Sequence, residues 1–394
     1  MWRFDPVLQV EVERNDNVLL AGPATGVADN ILTADIRLAL IRETARSALE
    51  LSYRPIREFY DASPDLDNTT QILGISYARE MSTRSAWDFA AGWSRFERQR
   101  LDFETPDAEL ITVPRTQTDA LTARFSGRWG TGTRGRMLTG LTYLATSYAR
   151  DVIAVDADGD GTADPNPLEV DDIATVTLSG GYETDLSSRT ATRLRYVGSR
   201  IDSGFRGTTD VHRVLVGVTR GRPERTQWIL DLGMGKAKIV DPGRPRPGDA
   251  PVPVSDLRSP TSGVGSLSLR FRAFRRGELL FGAARDFTAT GGTSGAAVST
   301  TFFGTLRVPV ARRSYLAFFG RRSERDPIDA GVLATSATTT SSYRAEWGAS
   351  LGRAWHVVTA GESVTQRSDT ASLDGDYNIW SLGLRWSPLA ERGR

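Results

Sequence analysis

The sequence predicts an all-β fold: a single transmembrane antiparallel up-and-down β-barrel of about eighteen strands, with about sixteen as the next choice. Three observations predict it. Apolar and polar residues alternate along the whole chain, short connections alternate with long ones, and tryptophans gather beside the short connections. Residues 1–394 are taken as one barrel domain, of which 387–394 form a short periplasmic tail.

The composition argues against several other classes of protein. The formal net charge of +1 gives no reason to expect a nucleic acid partner, and the absence of cysteine excludes disulfides and thiolate metal sites. No segment approaches the ~18–20 consecutive apolar residues of a membrane helix, but barrel strands are half polar and escape such a scan. The chain begins without a signal peptide, which we expect to have been removed from an exported protein.

Apolar residues recur at every second position in successive segments, which is the period of a β-strand. Each segment therefore offers one apolar and one polar face. The alternation is clearest in residues 8–13, 33–40, 87–94, 121–129 and 380–386. The segments are centred near residues 10, 37, 52, 75, 91, 123, 142, 177, 195, 215, 232, 268, 281, 303, 317, 347, 360 and 382. A soluble all-β protein is the competing interpretation, although the internal repeats of a propeller are missing.

The connections between these segments form two groups that alternate along the chain. The short ones lie at residues 43–47, 81–85, 130–135, 183–189, 221–225, 273–277, 309–313 and 352–354. The longer, polar ones lie at 15–30, 61–68, 97–115, 151–171, 199–210, 241–260, 288–295, 322–339 and 367–375. Outer-membrane barrels have short turns on the periplasmic side and long loops outside, so we expect both termini in the periplasm and an even number of strands.

Tryptophan supports the same orientation. Five of the nine tryptophans lie near a short turn or the C-terminus, on the apolar parity of their segments: Trp87, Trp129, Trp228, Trp355 and Trp386. Amphipathic aromatic rings favour the interface between membrane and water, so these residues predict an aromatic girdle at the periplasmic rim.

The polar parity faces the lumen in this prediction and is rich in arginine. Ten arginines share it: Arg37, Arg54, Arg124, Arg128, Arg193, Arg195, Arg213, Arg270, Arg344 and Arg385. The acidic residues on the same parity are Glu11, Glu13, Asp35, Glu50, Asp88, Asp231, Glu278 and Glu346. Cross-strand ion pairs between the two sets would only stiffen the wall. Arginine rings without partners would favour anions in a lumen wide enough to conduct, unless a loop such as 97–115 or 241–260 folds into it.

One loop has the spacing of a calcium site. Carboxylates stand at alternate positions before a glycine, in the pattern of the Asp-x-Asp-x-Asp-Gly loops of EF-hand and thrombospondin-type repeats, which this segment resembles. The resemblance implies side-chain ligands from Asp156, Asp158, Asp160 and Asp164 and a carbonyl ligand from Thr162. Pro167 replaces the bidentate glutamate of that pattern, and a solvated acidic loop is the alternative. A bound Ca²⁺ would be structural, in an extracellular loop.

The two histidines do not indicate catalysis, and we expect the protein not to be an enzyme. His212 lies at the long-loop end of its strand on the parity of Val214, so it faces lipid or the rim. His356 follows a short turn and faces inward at the periplasmic end. The two side chains are thus predicted at opposite rims and cannot share one site.

Two stretches near the start of the chain resemble an outer-membrane barrel family that accompanies exopolysaccharide and exosortase-type (PEP-CTERM) gene clusters. The first runs from Val7 to Leu20 and contains Asn15-Asp16-Asn17. The second runs from Leu51 to Tyr60 and is followed by Asn68-Thr69-Thr70 and the turn at 81–85. The resemblance covers about the first hundred residues and offers no catalytic residues. It implies export of a polysaccharide, with a periplasmic export protein as partner.

Three functions are therefore carried forward for a barrel in the lipid bilayer of a bacterial outer membrane. The first is export of an exopolysaccharide, anionic if the arginines bind it. The second is a diffusion porin for small solutes. The third is a structural or adhesive surface barrel that displays its long loops. Lumen width and the positions of the arginines distinguish the first two from the third.

Overall fold

The computed structural model describes residues 2–18, 27–96, 117–149, 172–203, 207–222, 225–241, 260–273, 277–289, 296–328, 337–368 and 374–388. These residues form eighteen antiparallel strands, and every predicted centre lies inside one of them. The strands are β1 (Trp2–Asn15), β2 (Asp29–Glu43), β3 (Ser47–Tyr60), β4 (Asn68–Ser82), β5 (Ser85–Phe96), β6 (Thr118–Thr131), β7 (Gly135–Tyr148), β8 (Ile173–Ser187), β9 (Thr190–Asp202), β10 (Thr208–Gly221), β11 (Thr226–Asp241), β12 (Thr261–Ala273), β13 (Gly277–Ala289), β14 (Ala296–Ala311), β15 (Ser314–Pro327), β16 (Thr338–Ser350), β17 (Trp355–Ser368) and β18 (Gly375–Trp386).

The sheet closes on itself. Each strand pairs with its neighbours in sequence, and β1 pairs with both β2 and β18. In the closing pair Leu8 faces Trp386 and Asn15 faces Ile379, so the ladder runs over eight rows. Closure matters because lipid offers no hydrogen-bond partners to an open sheet edge. The predicted class, an antiparallel up-and-down barrel with an even number of strands, is confirmed.

Several connections are shorter than the sequence predicts. The segment 183–189 is predicted as a turn, but β8 continues to Ser187 and leaves only two residues before β9. A register shift between Asp185 and Ser187 absorbs the extra residue. A second register shift lies between Pro309 and Ala311. These residues are predicted as part of the turn 309–313 but belong to β14. Bulges are places where a strand tolerates a residue without a ladder partner, including proline, which has no N–H.

Regular secondary structure also extends further on the long-loop side than the alternation predicts. β15 extends to Pro327, although a loop is predicted from Arg322, and β9 extends to Asp202, although a loop is predicted from Ser199. The predicted loop 61–68 holds a short 3₁₀ helix, Pro64–Leu66. No helix in the described part of the chain is long and apolar enough to cross a membrane.

The two faces of the strands differ as the alternation predicts. On β10, Val214 and Val216 are exposed on the outer surface, at 51% and 59%, whereas Arg213 and Leu215 between them are buried on the inner side. All five girdle tryptophans lie within two residues of a short-turn strand end. Trp355 and Trp386 face each other across β17 and β18. The apolar outer surface and the aromatic rim place the barrel in a bacterial outer membrane.

Part of the lumen wall is apolar. Ile173, Val197, Val211 and Val264 belong to a buried cluster contributed by β8 to β14 and the end of β15. The inner wall near the short turns of β2 to β9 is instead polar and encloses a cavity. The apolar cluster lies mostly toward the long-loop ends of its strands, whereas the cavity lies near the short turns.

Candidate functional site in the lumen wall

Six of the ten predicted lumen arginines form ion pairs among the residues that the structure describes. The pairs are Arg37–Glu50 (2.7 Å), Arg54–Asp35 (2.7 Å), Arg193–Asp231 (2.5 Å), Arg213–Asp286 (2.5 Å), Arg270–Glu278 (3.0 Å) and Arg344–Glu346 (2.9 Å). For these six, the wall-stiffening interpretation fits the geometry. Asp286 lies on β13 with the same parity as Glu278 but is absent from the predicted acidic set.

The pair Arg193–Asp231 passes over a glycine. Arg193 on β9 faces Gly217 on β10, which faces Asp231 on β11. The guanidinium crosses the central strand and donates from Nε to Asp231 Oδ1 at 2.7 Å. A Cβ on Gly217 would fall on Asp231 Oδ1 and come within 2.7 Å of Arg193 Nε. Glycine is therefore required there by the close approach of two side chains.

A second arginine crosses strands in the same way. Arg213 on β10 lies beside Gly235 on β11, where a Cβ would stand 3.1 Å from its Cγ. Its Nη1 donates to Asp286 on β13, and its Nη2 donates to Ser199 Oγ at 2.7 Å. Arg213 is buried, so these partners replace the water that its charge has lost.

A polar cluster with a tyrosine at its centre lies between β14 and β17. Tyr315 donates a hydrogen bond to Glu346 Oε1 at 2.7 Å, and the Arg307 guanidinium lies 3.9 Å from the centre of its ring. Arg344 contacts Glu346 and approaches Glu362 at 3.7 Å. Tyr315 was not singled out from the sequence. It reaches the cluster because it lies over Gly348, where a Cβ would stand 2.4 Å from its ring.

Three predicted arginines surround a cavity and have no carboxylate within ion-pair distance in the described residues: Arg124, Arg128 and Arg195. The cavity has a volume of about 930 Å³ and lies on the inner wall near the short turns. Gly140, Thr142 and Ser179 form part of its lining. These small side chains leave the space into which the arginines extend.

The charges around this cavity do not cancel. Its lining contains five arginines (Arg46, Arg79, Arg124, Arg128 and Arg195) and three carboxylates (Glu43, Glu80 and Asp88). Asp88 accepts a hydrogen bond from Ser126. The Nε of Arg195 is buried and has no hydrogen-bond partner in the described part of the chain. An anion in the cavity would meet an excess of positive charge and unused guanidinium donors.

The tenth predicted arginine and the two histidines lie away from this cavity. Arg385 on β18 stands between Gln9 and His356 in the ladder. His356 lies 3.0 Å from Ser350 Oγ, its direct cross-strand neighbour, a pair that the sequence did not suggest. His212 is exposed at the other rim, where its Nδ1 lies 2.6 Å from the Tyr196 hydroxyl. The structure thus confirms that the histidines do not share a site.

The predicted calcium ligands Asp156, Asp158, Asp160, Thr162 and Asp164 lie outside the described residues, as does nearly all of the two candidate lumen loops, 97–115 and 241–260. Within the described residues, no group of three or more histidine, aspartate and glutamate side chains is arranged to hold a metal ion. Calcium binding therefore remains a prediction from sequence.

Comparison with known proteins gives matches in architecture only. No protein-family model and no curated protein matches the chain. Among solved structures, OccK2 (OpdF) of Pseudomonas aeruginosa has 10% identity and a TM-score of 0.49, over 99% of this chain and 98% of that one. The same protein in complex with glucuronate gives a TM-score of 0.48 at 10% identity, over 98% of both chains. The P. aeruginosa outer membrane protein OpdK has 10% identity and a TM-score of 0.48, again over 98% of both.

None of these matches supports the exopolysaccharide association. The barrel and the charges on its inner wall therefore carry the information about function.

Proposed function

We propose that the chain is an outer-membrane diffusion channel for small solutes and that it prefers anions. The observation that carries this proposal is the cavity around Arg124, Arg128 and Arg195, where positive charge exceeds negative on the lumen side of a barrel of porin size. Barrels of about sixteen to eighteen strands can enclose an aqueous channel. Arginines that are not neutralised on such a wall attract anions.

Export of an exopolysaccharide through the same lumen is the less supported candidate. A wide basic lumen is compatible with an acidic polysaccharide as passenger. The periplasmic export protein and the passenger itself are implied by sequence resemblance alone, whereas a diffusion channel needs only the barrel and its wall charges. A surface barrel that only displays loops would not need a cationic cavity on its inner wall.

The proposal is tested by conductance of the purified protein in planar bilayers, under a tenfold KCl gradient. We expect the reversal potential to lie closer to the equilibrium potential of chloride than to that of potassium. Replacing the three arginines together (R124Q/R128Q/R195Q) should reduce the chloride-to-potassium permeability ratio by about half or more, because the excess charge of the cavity is lost.

The matched control removes an ion pair from the same wall. The variant R37Q/E50Q deletes one cation and one anion that lie 2.7 Å apart, so the net charge of the lumen is unchanged. Its permeability ratio should equal that of the parent. Selectivity for potassium in the parent, or equal ratios in both variants, would contradict the proposal. A correctly folded barrel that does not conduct would favour the loop-displaying alternative.

A further inference from the structure

The outer face of β9, β10 and β11 changes from apolar to basic at one height. Tyr196, Val214 and Met234 form one row of neighbours across the three strands, and each side chain is exposed on the outer surface. The next outward row toward the long loops is Gly198, His212 and Lys236.

The row above that one consists of Arg200, Asp210 and Lys238. We call Arg200, His212, Lys236 and Lys238 the basic patch; all four are exposed. Lys236 and Lys238 are the only lysines in the sequence.

The charge of the basic patch is only partly neutralised. Asp210 is held by Arg200, with Nε 2.8 Å from Oδ1. Neither lysine has a carboxylate within ion-pair distance among the described residues. With Asp210 included, the formal charge of this surface is two positive units when His212 is neutral. Two strands further on, Arg285 contacts the hydroxyl groups of Ser262 and Thr300.

Three other outward arginines at this rim are balanced by carboxylates, whereas Arg14 donates to the Asn30 side-chain oxygen. Arg95 pairs with Asp119 at 2.8 Å, Arg322 with Glu324 at 2.7 Å, and Arg367 with Asp376 at 2.7 Å. Each of these pairs is complete without an external ligand. The lysines of the basic patch differ, because neither forms an ion pair within the described residues. Lys238 faces Asp210, but that carboxylate is already held by Arg200, so both ammonium groups can bind an anion from outside the protein.

The position of the patch identifies the anion. The exposed apolar row of Tyr196, Val214 and Met234 marks the upper part of the lipid-facing surface, and lysine stems can extend from there to the polar layer. In a bacterial outer membrane, the polar layer on the long-loop side is made of the phosphorylated headgroups of a glycolipid. Ammonium groups are compact charges that bind phosphate well.

We propose that the basic patch binds the phosphate groups of the outer-leaflet glycolipid and thereby seats the β9–β11 side of the barrel in that leaflet. His212 is held toward the same layer by its contact with the Tyr196 hydroxyl. The interaction does not depend on whether the lumen conducts, so it stands apart from the proposed channel function.

The test is a titration of the whole protein in detergent micelles with a diphosphorylated disaccharide lipid and, separately, with the same lipid after removal of its phosphates. Native mass spectrometry measures the fraction of protein with bound lipid. We expect the phosphorylated lipid to bind at least about tenfold more tightly to the parent. The variant K236Q/K238Q should lose about tenfold in affinity for it, and K236R/K238R should keep it.

The matched control removes two exposed outward arginines from the opposite rim, Arg42 and Arg220. R42Q/R220Q should bind the phosphorylated lipid as the parent does. Equal affinity of the two lipids for the parent, or unchanged binding by K236Q/K238Q, would overturn the proposal. So would competition by inorganic phosphate at the concentration at which the lipid binds, since that would make the patch a site for free phosphate.

Discussion

At the scale of single residues, two glycines decide how charge is arranged on the inner wall. Gly217 and Gly235 sit where an arginine from β10 or a neighbouring strand passes over the backbone to a carboxylate. The ion pairs Arg193–Asp231 and Arg213–Asp286 depend on those gaps. Because Asp231 and Arg213 are buried, each would keep an unpaired buried charge if its partner were displaced.

The variant Gly217→Ala tests this dependence. Its new methyl group would occupy the position of Asp231 Oδ1, so we expect the ion pair to separate and the free energy of unfolding to fall by about 2 kcal/mol. Guanidinium unfolding of the refolded protein, followed by tryptophan fluorescence, measures the change.

Gly263→Ala is the control, because a Cβ there has no atom within 4 Å. It should change the free energy of unfolding by less than about 0.5 kcal/mol. If the two variants are equally stable, the strand crossing does not depend on Gly217.

At the scale of the strand, adjacent residues meet two different solvents. Leu141 and Thr142 are neighbours in β7: Leu141 is exposed on the outer surface, and Thr142 lines the cavity. The same substitution at the two positions therefore compares the effect on the lipid-facing side with the effect on the lumen-facing side of a single strand.

We expect Leu141→Arg to destabilise the barrel by about 2–4 kcal/mol in lipid vesicles, because a guanidinium near the bilayer centre loses its water. Thr142→Arg should cost less than about 1 kcal/mol, since its side chain enters the polar cavity. The free energies of unfolding from vesicles provide the comparison. A larger loss for Thr142→Arg would mean that the two faces have been assigned the wrong way round.

The acidic loop is an element that remains proposed from sequence. If Asp156, Asp158, Asp160 and Asp164 bind Ca²⁺, calorimetric titration of the purified protein should show one site at millimolar concentration or below, and D158N/D160N should abolish it. The variant D65N, in the loop between β3 and β4, removes an acidic residue elsewhere as a control. If the parent shows no heat of binding, the segment is a solvated acidic loop and not a calcium site.

At the scale of the whole molecule, most lumen charges cancel and a few do not. Pairing of the strands brings arginines beside carboxylates on the same strand or on strands one to three away, and six of the ten predicted arginines are paired in the described residues. Among the ten predicted arginines, those without an ion pair in the described residues are therefore concentrated at the cavity lined by Arg124, Arg128 and Arg195. A field from so few charges is sensitive to salt.

We accordingly expect the chloride preference to weaken with ionic strength. The Debye length falls from about 10 Å at 0.1 M to about 3 Å at 1 M, which is short compared with the width of a large barrel. The permeability ratio measured at 1 M KCl should approach that of the free ions, and the ratio at 0.1 M should exceed it. A ratio independent of salt would indicate selection by size and not by charge.

The order and the faces of the strands follow from the sequence, because they depend on local properties. Alternation with a period of two fixes which of Leu141 and Thr142 meets lipid, whatever the rest of the barrel does. The alternation of short and long connections gives the even strand number and the orientation of the termini. The strand ends are less predictable, since the bulges at Leu186 and Val310 depend on cross-strand register.

The sequence by itself thus determined the class of this protein, its strand number and its lipid face, and it predicts a set of arginines that face inward. Only the tertiary structure decided which of them are neutralised. Arg213 meets Asp286 from 73 residues away, across strands whose registers are fixed jointly, and Gly235 leaves room for the Phe287 ring and the Arg213 side chain. Arg124, Arg128 and Arg195 have the same parity and composition around them as the paired arginines, but closure places small side chains and a cavity beside them. Pairing depends on register and free space in three dimensions, and neither is encoded in the period of a single strand.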